Sequence, residues 1–487
     1  MTEQSKHSLT KNTIWYLINN VLNIGFPFAT GIYVARVLMP ESIGLVASAQ
    51  NLASYFVIFA FLGIPTYGLR EISKARFDKN ELSKTHSELL IINLISTLVF
   101  SLAYFFIILF SQAYKEHFIL YAVCGGLIVL NALNNSWLYE GLEKFSFISI
   151  RNIIFKALMF VLLLLFVRKD VDYILYASIT VIGTAGNYIL NFVFSHKYVS
   201  FTFKGLNLTK HLKSIFFLAA VNLAIEIYTL VDVTMLGIFS NEEHIAYYKY
   251  GASIGRILLQ VINTFTIVLI PRITSLYKEG KKEEFNGLLT ETLELIILIA
   301  VPMIIGIQFT SSYLICQIYG DVYITSSYVL NIISGILLIS PVGYLLGSRT
   351  LLVAGKEKYM LIPVVCGAVT NVVGNLLLIP HYSEIGAAIA SLIGEIVVTI
   401  VYLFLGRKYF KLNSIFKTIL KISFSAIVMT VTLLTIVFLV KSPLVKCVLE
   451  ISLAVIIYFT CLLILKEKHV FQIFCRIKRS LLSHGNK

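Results

Sequence analysis

Residues 89–110 read LLIINLISTLVFSLAYFFIILF, a run of mostly apolar residues without one charged side chain. A helix of about 20 apolar residues can cross the hydrocarbon core of a bilayer, so this stretch predicts a transmembrane helix. Outward from it in both directions, thirteen further apolar stretches follow one another along the chain. The fourteen predicted spans are 12–38, 43–64, 89–110, 117–138, 151–167, 171–195, 214–237, 245–269, 288–309, 328–348, 359–380, 384–405, 415–440 and 444–465.

The gaps between these spans alternate between rich and poor in lysine and arginine. The gap before 89–110 carries Arg70, Lys74, Arg76, Lys79 and Lys84, and every second gap along the chain is basic in the same way. Basic loops resist translocation, so the alternation predicts fourteen transmembrane helices with both termini in the cytoplasm. The other side of the membrane has only Arg36, Lys115, Arg168, Lys169, Lys441 and Lys446, in the intervening gaps or at the adjoining span ends.

The composition excludes an ordinary soluble protein, because 57% of the 487 residues are hydrophobic and only 14% are charged. We attribute the net charge of +14 to cytoplasmic loops rather than to nucleic-acid binding. The six cysteines have no paired spacing, so we interpret them as apolar fillers and expect no metal site. The sequence contains no nucleotide-binding glycine loop and no hydrolase motif, and no gap could hold a catalytic domain. We therefore expect a transporter, with no catalytic residues and no cofactor.

Spans 1–6 resemble spans 7–12. Arg70 and Lys79 recur as Arg272 and Lys281, and the stretch Gly141–Phe145 returns as Gly355–Tyr359. Six is an even number, so both copies begin inside, as in transporters that rock two lobes around a central site. The predicted fold class is an all-α integral membrane protein with two six-helix lobes in a parallel repeat. The predicted regions are an N-terminal lobe (1–213), a C-terminal lobe (214–411), helices 13 and 14 (412–465) and a basic cytoplasmic tail (466–487).

Four motifs occur in order along the chain. They are YVARVLMPESIG at 33–44, YGLREI at 67–72, WLYEGLEKF at 137–145 and LIPR at 269–272. The ordered set resembles the bacterial polysaccharide repeat-unit flippases, the Wzx-type O-antigen and capsule transporters. These belong to the MOP superfamily, which also holds the MATE drug exporters. Glu140 departs from the family pattern, which leads us to expect a glutamine at that position.

The resemblance implies a carrier that moves undecaprenyl-diphosphate-linked oligosaccharide across the bacterial cytoplasmic membrane for lipopolysaccharide O-antigen or capsule synthesis. A diphosphate and several sugars cannot cross about 30 Å of hydrocarbon unaided, because each unpaired polar group is costly there. The implied partners are that lipid-linked sugar, membrane lipids, and the polysaccharide polymerase and chain-length machinery, with no nucleic acid. The resemblance leaves open whether the product is O-antigen or capsule.

Two other functions compete with flipping. One is a MATE-like multidrug or small-molecule exporter of the same superfamily, and the other is a membrane enzyme such as a polymerase or glycosyltransferase. Cations in the predicted cavity would repel cationic drugs, which disfavours the exporter. The short outer gaps lack clustered carboxylates, which disfavours the enzyme.

Span 8 carries the clearest candidate substrate site. Lys249, Arg256, Gln260 and Asn263 are spaced 7, 4 and 3 residues apart and therefore share one helical face. Buried cations at membrane depth are expensive and usually line a cavity or form ion pairs. This stripe is predicted either to meet the diphosphate and sugar hydroxyls or to pair with acidic residues of span 7. Arg256 is best suited to bind phosphate oxygens, because a guanidinium group can form a bidentate pair with two of them.

Acidic residues inside the spans are candidates for coupling to an ion gradient. Glu226 and Asp232 in span 7 and Glu395 in span 12 could each bind a proton or compensate a nearby cation. We expect transport to be coupled to a proton or sodium gradient, and either use of these carboxylates remains open. Lys156 in span 5 is a further candidate for contact with the substrate.

Asparagines recur four residues apart in several spans, as Asn19 and Asn23, Asn187 and Asn191, and Asn371 and Asn375. Amides at that spacing share a face and could bind sugar hydroxyls. They could equally join helices to one another without a ligand. We favour ligand contact for Asn19 and Asn23 of span 1.

Overall fold

The computed structural model describes residues 22–412, 415–440, 442–472 and 474–475, without the side chains of 221–222, 224–228 and 265–268. The described residues form helices joined by turns and loops and contain no β-strand, which confirms an all-helical fold. They divide into two compact units, one that ends at Ala246 and one that begins at Tyr247. The predicted region boundaries at 213, 411 and 465 remain predictions.

The first unit begins with α1, described over 22–37. Its remaining helices follow in chain order, and short 3-10 turns lie between some of them. They are α2 (Pro40–Phe61), α3 (Ile64–Ala75), α4 (Lys79–Phe110), α5 (Phe118–Leu130), α6 (Ser136–Gly141), α7 (Phe145–Phe166), α8 (Tyr173–Ser195) and α9 (Thr209–Phe239).

The next helix, α10 (Glu242–Lys278), begins at the end of the first unit and continues into the second. A π-helical segment, Tyr344–Arg349, interrupts the helices that follow it. The helices of the second unit after α10 are α11 (Lys282–Tyr319), α12 (Ser326–Ile333), α13 (Ile336–Gly343), α14 (Thr350–Val353), α15 (Leu361–Gly406), α16 (Phe416–Leu439), α17 (Pro443–Ile464) and α18 (described over 468–472).

Among the described residues, ten helical segments are long and apolar enough to cross a membrane, or eleven if the bent α10 counts as one span. The chain is therefore a multi-pass membrane protein. Two predicted spans, 359–380 and 384–405, correspond to the two helical parts of α15, which meet at a kink at Ser383, where φ is 45°. The count of fourteen crossings and the cytoplasmic side of the termini remain predictions.

In the first unit, α9 packs along α2 and α3. The Asn51 amide of α2 donates to the Thr234 hydroxyl at 2.7 Å, and the Tyr55 hydroxyl lies 3.0 Å from the same oxygen. At the start of α9, the Tyr67 hydroxyl lies 2.8 Å from Nδ1 of His211. Hydrogen bonds of this kind hold membrane helices together without a hydrophobic driving force.

In the second unit, α16 and α17 pack on each other and on α11. Their shared core contains Leu298, Met429 and the fully buried Tyr458. After α17 the chain turns back to α11, where the imidazole of His469 lies 3.0 Å from the carboxylate of Glu294. The Thr418 hydroxyl of α16 donates to that carboxylate at 2.6 Å, so one acidic residue joins three elements.

Candidate functional site

The predicted substrate stripe lies on α10. Arg256 and Gln260 are exposed, and Lys249 and Asn263 are half-buried. On the same helix, Gly251 packs against α12 so tightly that an added Cβ would lie 2.5 Å from the carbonyl oxygen of Ser326. At 3.6 residues per turn, Arg256 and Gln260 lie about 140° and 180° around the helix from Gly251. The stripe therefore faces away from the packing contact with α12.

The two cations of the stripe act on each other electrostatically. Lys249 and Arg256 are separated by about two helical turns, roughly 10 Å along the axis. Like charges at this range raise the cost of burying either one, and an anion bound beside them would relieve that repulsion. The arrangement is chemically suited to a ligand with more than one negative charge.

A second predicted contact residue, Lys156, belongs to the first unit. Its ammonium donates a 2.5 Å hydrogen bond to the side-chain oxygen of Asn23, which joins α7 to α1. Asn23 is exposed and Lys156 is half-buried. This brings together two of the predicted site residues from helices far apart in sequence. Asn19 lies outside the described residues.

Arg151 of α7 is a buried cation that the sequence analysis did not select as a candidate site residue. It is only 5% exposed, and its Nε donates to the side-chain oxygen of Asn187 at 3.0 Å. Its guanidinium lies 5.5 Å from the centre of the Phe147 ring, and its charge acts on the half-buried Glu140. The predicted span began at residue 151, so Arg151 counted as a loop residue. The helix in fact begins six residues earlier, at Phe145.

The acidic candidates occupy different surroundings. Asp232 is buried in α9 and acts electrostatically on Tyr55 of α2. Glu395 is half-buried in α15, where its charge and that of Arg349 both act on Tyr344 and Tyr402. The side chain of Glu226 lies outside the described part of α9.

The amide pair of the second unit, Asn371 and Asn375, takes part in helix contacts. Asn375 donates to Asn371 at 3.2 Å, and Asn371 donates to the hydroxyl of Ser391 at 3.4 Å within α15. Ser391 in turn lies 3.1 Å from the hydroxyl of Tyr248 on α10. Asn371 and Asn375 are almost fully buried. These hydrogen bonds join helices in this conformation, and contact of the same amides with a ligand stays a prediction.

The helical architecture defines a class of protein, a multi-pass membrane protein whose fold is shared by two solved transporter structures. A solved structure of the lipid II flippase MurJ in an inward closed conformation superimposes with a TM-score of 0.70 at 16% identity. That match covers 93% of this chain and 98% of MurJ. An inward-facing multidrug MATE transporter superimposes with a TM-score of 0.63 at 19% identity, covering 79% of this chain and 93% of that one.

The chain belongs to the polysaccharide biosynthesis protein family, whose model matches residues 9–277. This confirms the resemblance to Wzx-type flippases drawn from the four motifs. Over 401 residues the chain is 23% identical to a protein of Escherichia coli strain K12 named "Putative O-antigen transporter". The alignment covers 81% of this chain and 96% of that relative.

Proposed function

We propose that this protein moves undecaprenyl-diphosphate-linked oligosaccharide units from the inner to the outer leaflet of the bacterial cytoplasmic membrane by alternating access. The product would serve O-antigen or capsular polysaccharide synthesis. Membership of the polysaccharide biosynthesis family and similarity to a protein named as an O-antigen transporter support this proposal. The fold shared with MurJ is compatible with it.

The observation that carries the proposal is the cationic and amide stripe on α10. Arg256 can bind two phosphate oxygens at once, and Lys249 adds a second positive charge toward a diphosphate. Gln260 and Asn263 offer donors and acceptors to sugar hydroxyls. In the first unit, the same chemistry is supplied by Lys156 together with Asn23 and Asn19, the two asparagines of predicted span 1. Cationic drugs would be repelled by this stripe, which disfavours the multidrug alternative.

The same proposal includes the ion gradient that drives transport. Flipping is coupled to a proton or sodium gradient, with Glu226, Asp232 and Glu395 as carboxylates that bind the ion or balance a cation. Of Asp232 and Glu395, Asp232 is the better candidate for ion binding, because it is buried within the helix packing of the first unit. An ion bound there would change the charge of a packed helix contact.

The deciding experiment measures the sidedness of lipid-linked repeat units in cells that lack the protein. Wild type, a Lys249→Gln/Arg256→Gln variant and a Lys278→Gln variant are restored separately. Lys278 is the control, because it is an exposed cation at the end of the same helix and outside the stripe. We expect complete units to accumulate on the cytoplasmic leaflet and to be cleared by wild type and by the control only.

Other outcomes separate the alternatives. Clearance by the double variant would retain a flippase and discard the stripe as its site. Complete units that reach the outer leaflet without the protein would overturn the flippase function. A change in drug susceptibility with normal sidedness of the repeat units would favour the exporter instead.

A further inference from the structure

A carboxyl group lies buried in α17, in the helix pair outside the predicted repeat. Glu450 is 2% exposed, and its Oε1 is buried without a hydrogen-bond partner among the described residues. The other buried residues of α17 recur every three or four positions on the same face and are Cys447, Ala454, Tyr458 and Leu462. The opposite face, with Val448, Ile451 and Val455, is exposed. Glu450 therefore points into the packing of the helices and away from lipid.

At the depth of Glu450, the helices packed against α17 carry no cation that could pair with its carboxylate. Tyr458 is hydrogen-bonded to Leu298, and the later His469 is hydrogen-bonded to the earlier Glu294. The chain from α17 onward therefore runs antiparallel to α11. Extending that register places Glu450 beside residues 302–306 of α11. From 295 to 312 in α11, and from 422 to 439 in α16, the sequence contains no ionisable side chain.

The ionisable neighbours of Glu450 on its own helix are Cys447 and Lys446. Lys446 lies one turn closer to the predicted outer end and is half-buried. Glu450 itself lies about 10 Å along the helix from Pro443. A carboxylate buried without a paired cation costs several kcal/mol, whereas the neutral acid is tolerated. Burial without a paired cation therefore favours the neutral acid at this position.

We propose that Glu450 is a proton-binding site through which the protein is coupled to a proton gradient. The carboxylate takes up one proton from the outer solution and becomes a neutral acid, the form that burial among α11, α16 and α17 tolerates. It releases that proton when a conformational change admits water or brings Lys446 within reach, because either stabilises the carboxylate. The coupling role rests on the proposed flippase function, whereas proton binding does not.

Infrared spectroscopy of the purified protein tests proton binding directly. We expect a carboxylic-acid C=O band at neutral pH that shifts in heavy water and is absent from Glu450→Gln. The control is Glu467→Gln, because Glu467 is equally buried but accepts hydrogen bonds from the backbone N–H groups of His469 and Val470. A wild-type spectrum without any band that depends on Glu450 would overturn the proposal.

Flipping of a lipid-linked oligosaccharide in proteoliposomes tests the coupling. An imposed pH gradient is expected to accelerate flipping by wild type and by Glu467→Gln, and to leave Glu450→Gln at its rate without a gradient. Equal acceleration of Glu450→Gln, or no acceleration of wild type, would overturn the coupling role. Absence of any flipping by wild type would instead count against the proposed function, leaving the infrared result to stand by itself.

Discussion

The hydroxyl of Tyr458 donates a 3.0 Å hydrogen bond to the backbone carbonyl of Leu298. In an unbroken helix this carbonyl would accept from the N–H four residues later, but that residue is Pro302, which has no N–H. Tyr458 is fully buried, so α17 provides α11 with the donor that the proline removed. In apolar surroundings an unpaired carbonyl is costly, and this bond therefore accommodates the proline while holding the last helix pair in place.

Tyr458→Phe is expected to destabilise the protein by about 1–3 kcal/mol, because it leaves a buried carbonyl without a donor. Pro302→Ala restores the missing N–H, so Tyr458→Phe should cost clearly less in the Pro302→Ala background. Chemical unfolding in detergent, followed by tryptophan fluorescence, measures this double-mutant cycle. An equal loss in both backgrounds would show that the hydroxyl and the proline act independently.

Gly44→Ala is expected to lower the melting temperature by several degrees. An added Cβ would lie 1.7 Å from the carbonyl oxygen of Glu242, so the start of α10 would have to move away from α2. The matched control is Gly287→Ala in α11, where an added Cβ meets nothing within 4 Å. A helical glycine in open space should gain up to about 1 kcal/mol from alanine. Similar melting temperatures for both variants would contradict the close approach.

His469→Ala is expected to accelerate chymotrypsin cleavage at Phe471 by on the order of 10-fold, since the partly buried hydrogen bond to Glu294 contributes about 1–1.5 kcal/mol. Lys468→Ala serves as the comparison, because it removes the exposed ion pair of Lys468 with Glu291. Exposed pairs contribute little, so its cleavage rate should rise less than about 3-fold. A larger effect from Lys468→Ala would place the anchor of α18 at the surface pair instead of at Glu294.

Arg256→Gln is expected to weaken binding of the lipid-linked diphosphate by about 10- to 100-fold, because a hydrogen bond to a charged group contributes about 1.5–3 kcal/mol. Lys249→Gln should weaken it less, because an ammonium binds phosphate at one point only. Binding to protein in nanodiscs is measured at two salt concentrations, with Lys278→Gln as the control. Unchanged affinity in Arg256→Gln would exclude a phosphate contact on the α10 stripe.

The membrane class and the position of the α10 stripe were predictable from sequence. Each depends on a period along one helix, and such a period is visible in the order of residues. Helix ends were less predictable, and this moved Arg151 from a predicted loop into α7. Hydropathy alone marks where a chain becomes apolar, whereas a helix also includes polar residues at its ends.

Contacts between helices far apart in sequence could not be predicted. Nothing in the order of residues indicates that Lys156 meets Asn23, or that Tyr458 completes the backbone bonding around Pro302. Glu450 lies within a predicted apolar span, but the sequence does not show whether its side chain faces lipid or other helices. Only the structure shows that it is buried.

The sequence by itself determined that this chain crosses the membrane many times, that its loops are sorted by charge and that its motifs are those of the polysaccharide flippases. These properties follow from local composition, since each apolar helix satisfies its own backbone and can be recognised alone. The tertiary structure alone decided which polar groups share a partner and which are left buried without one. That outcome depends on how helices approach one another, because in an apolar medium a carboxyl or a carbonyl is satisfied only by a neighbour close enough to bond.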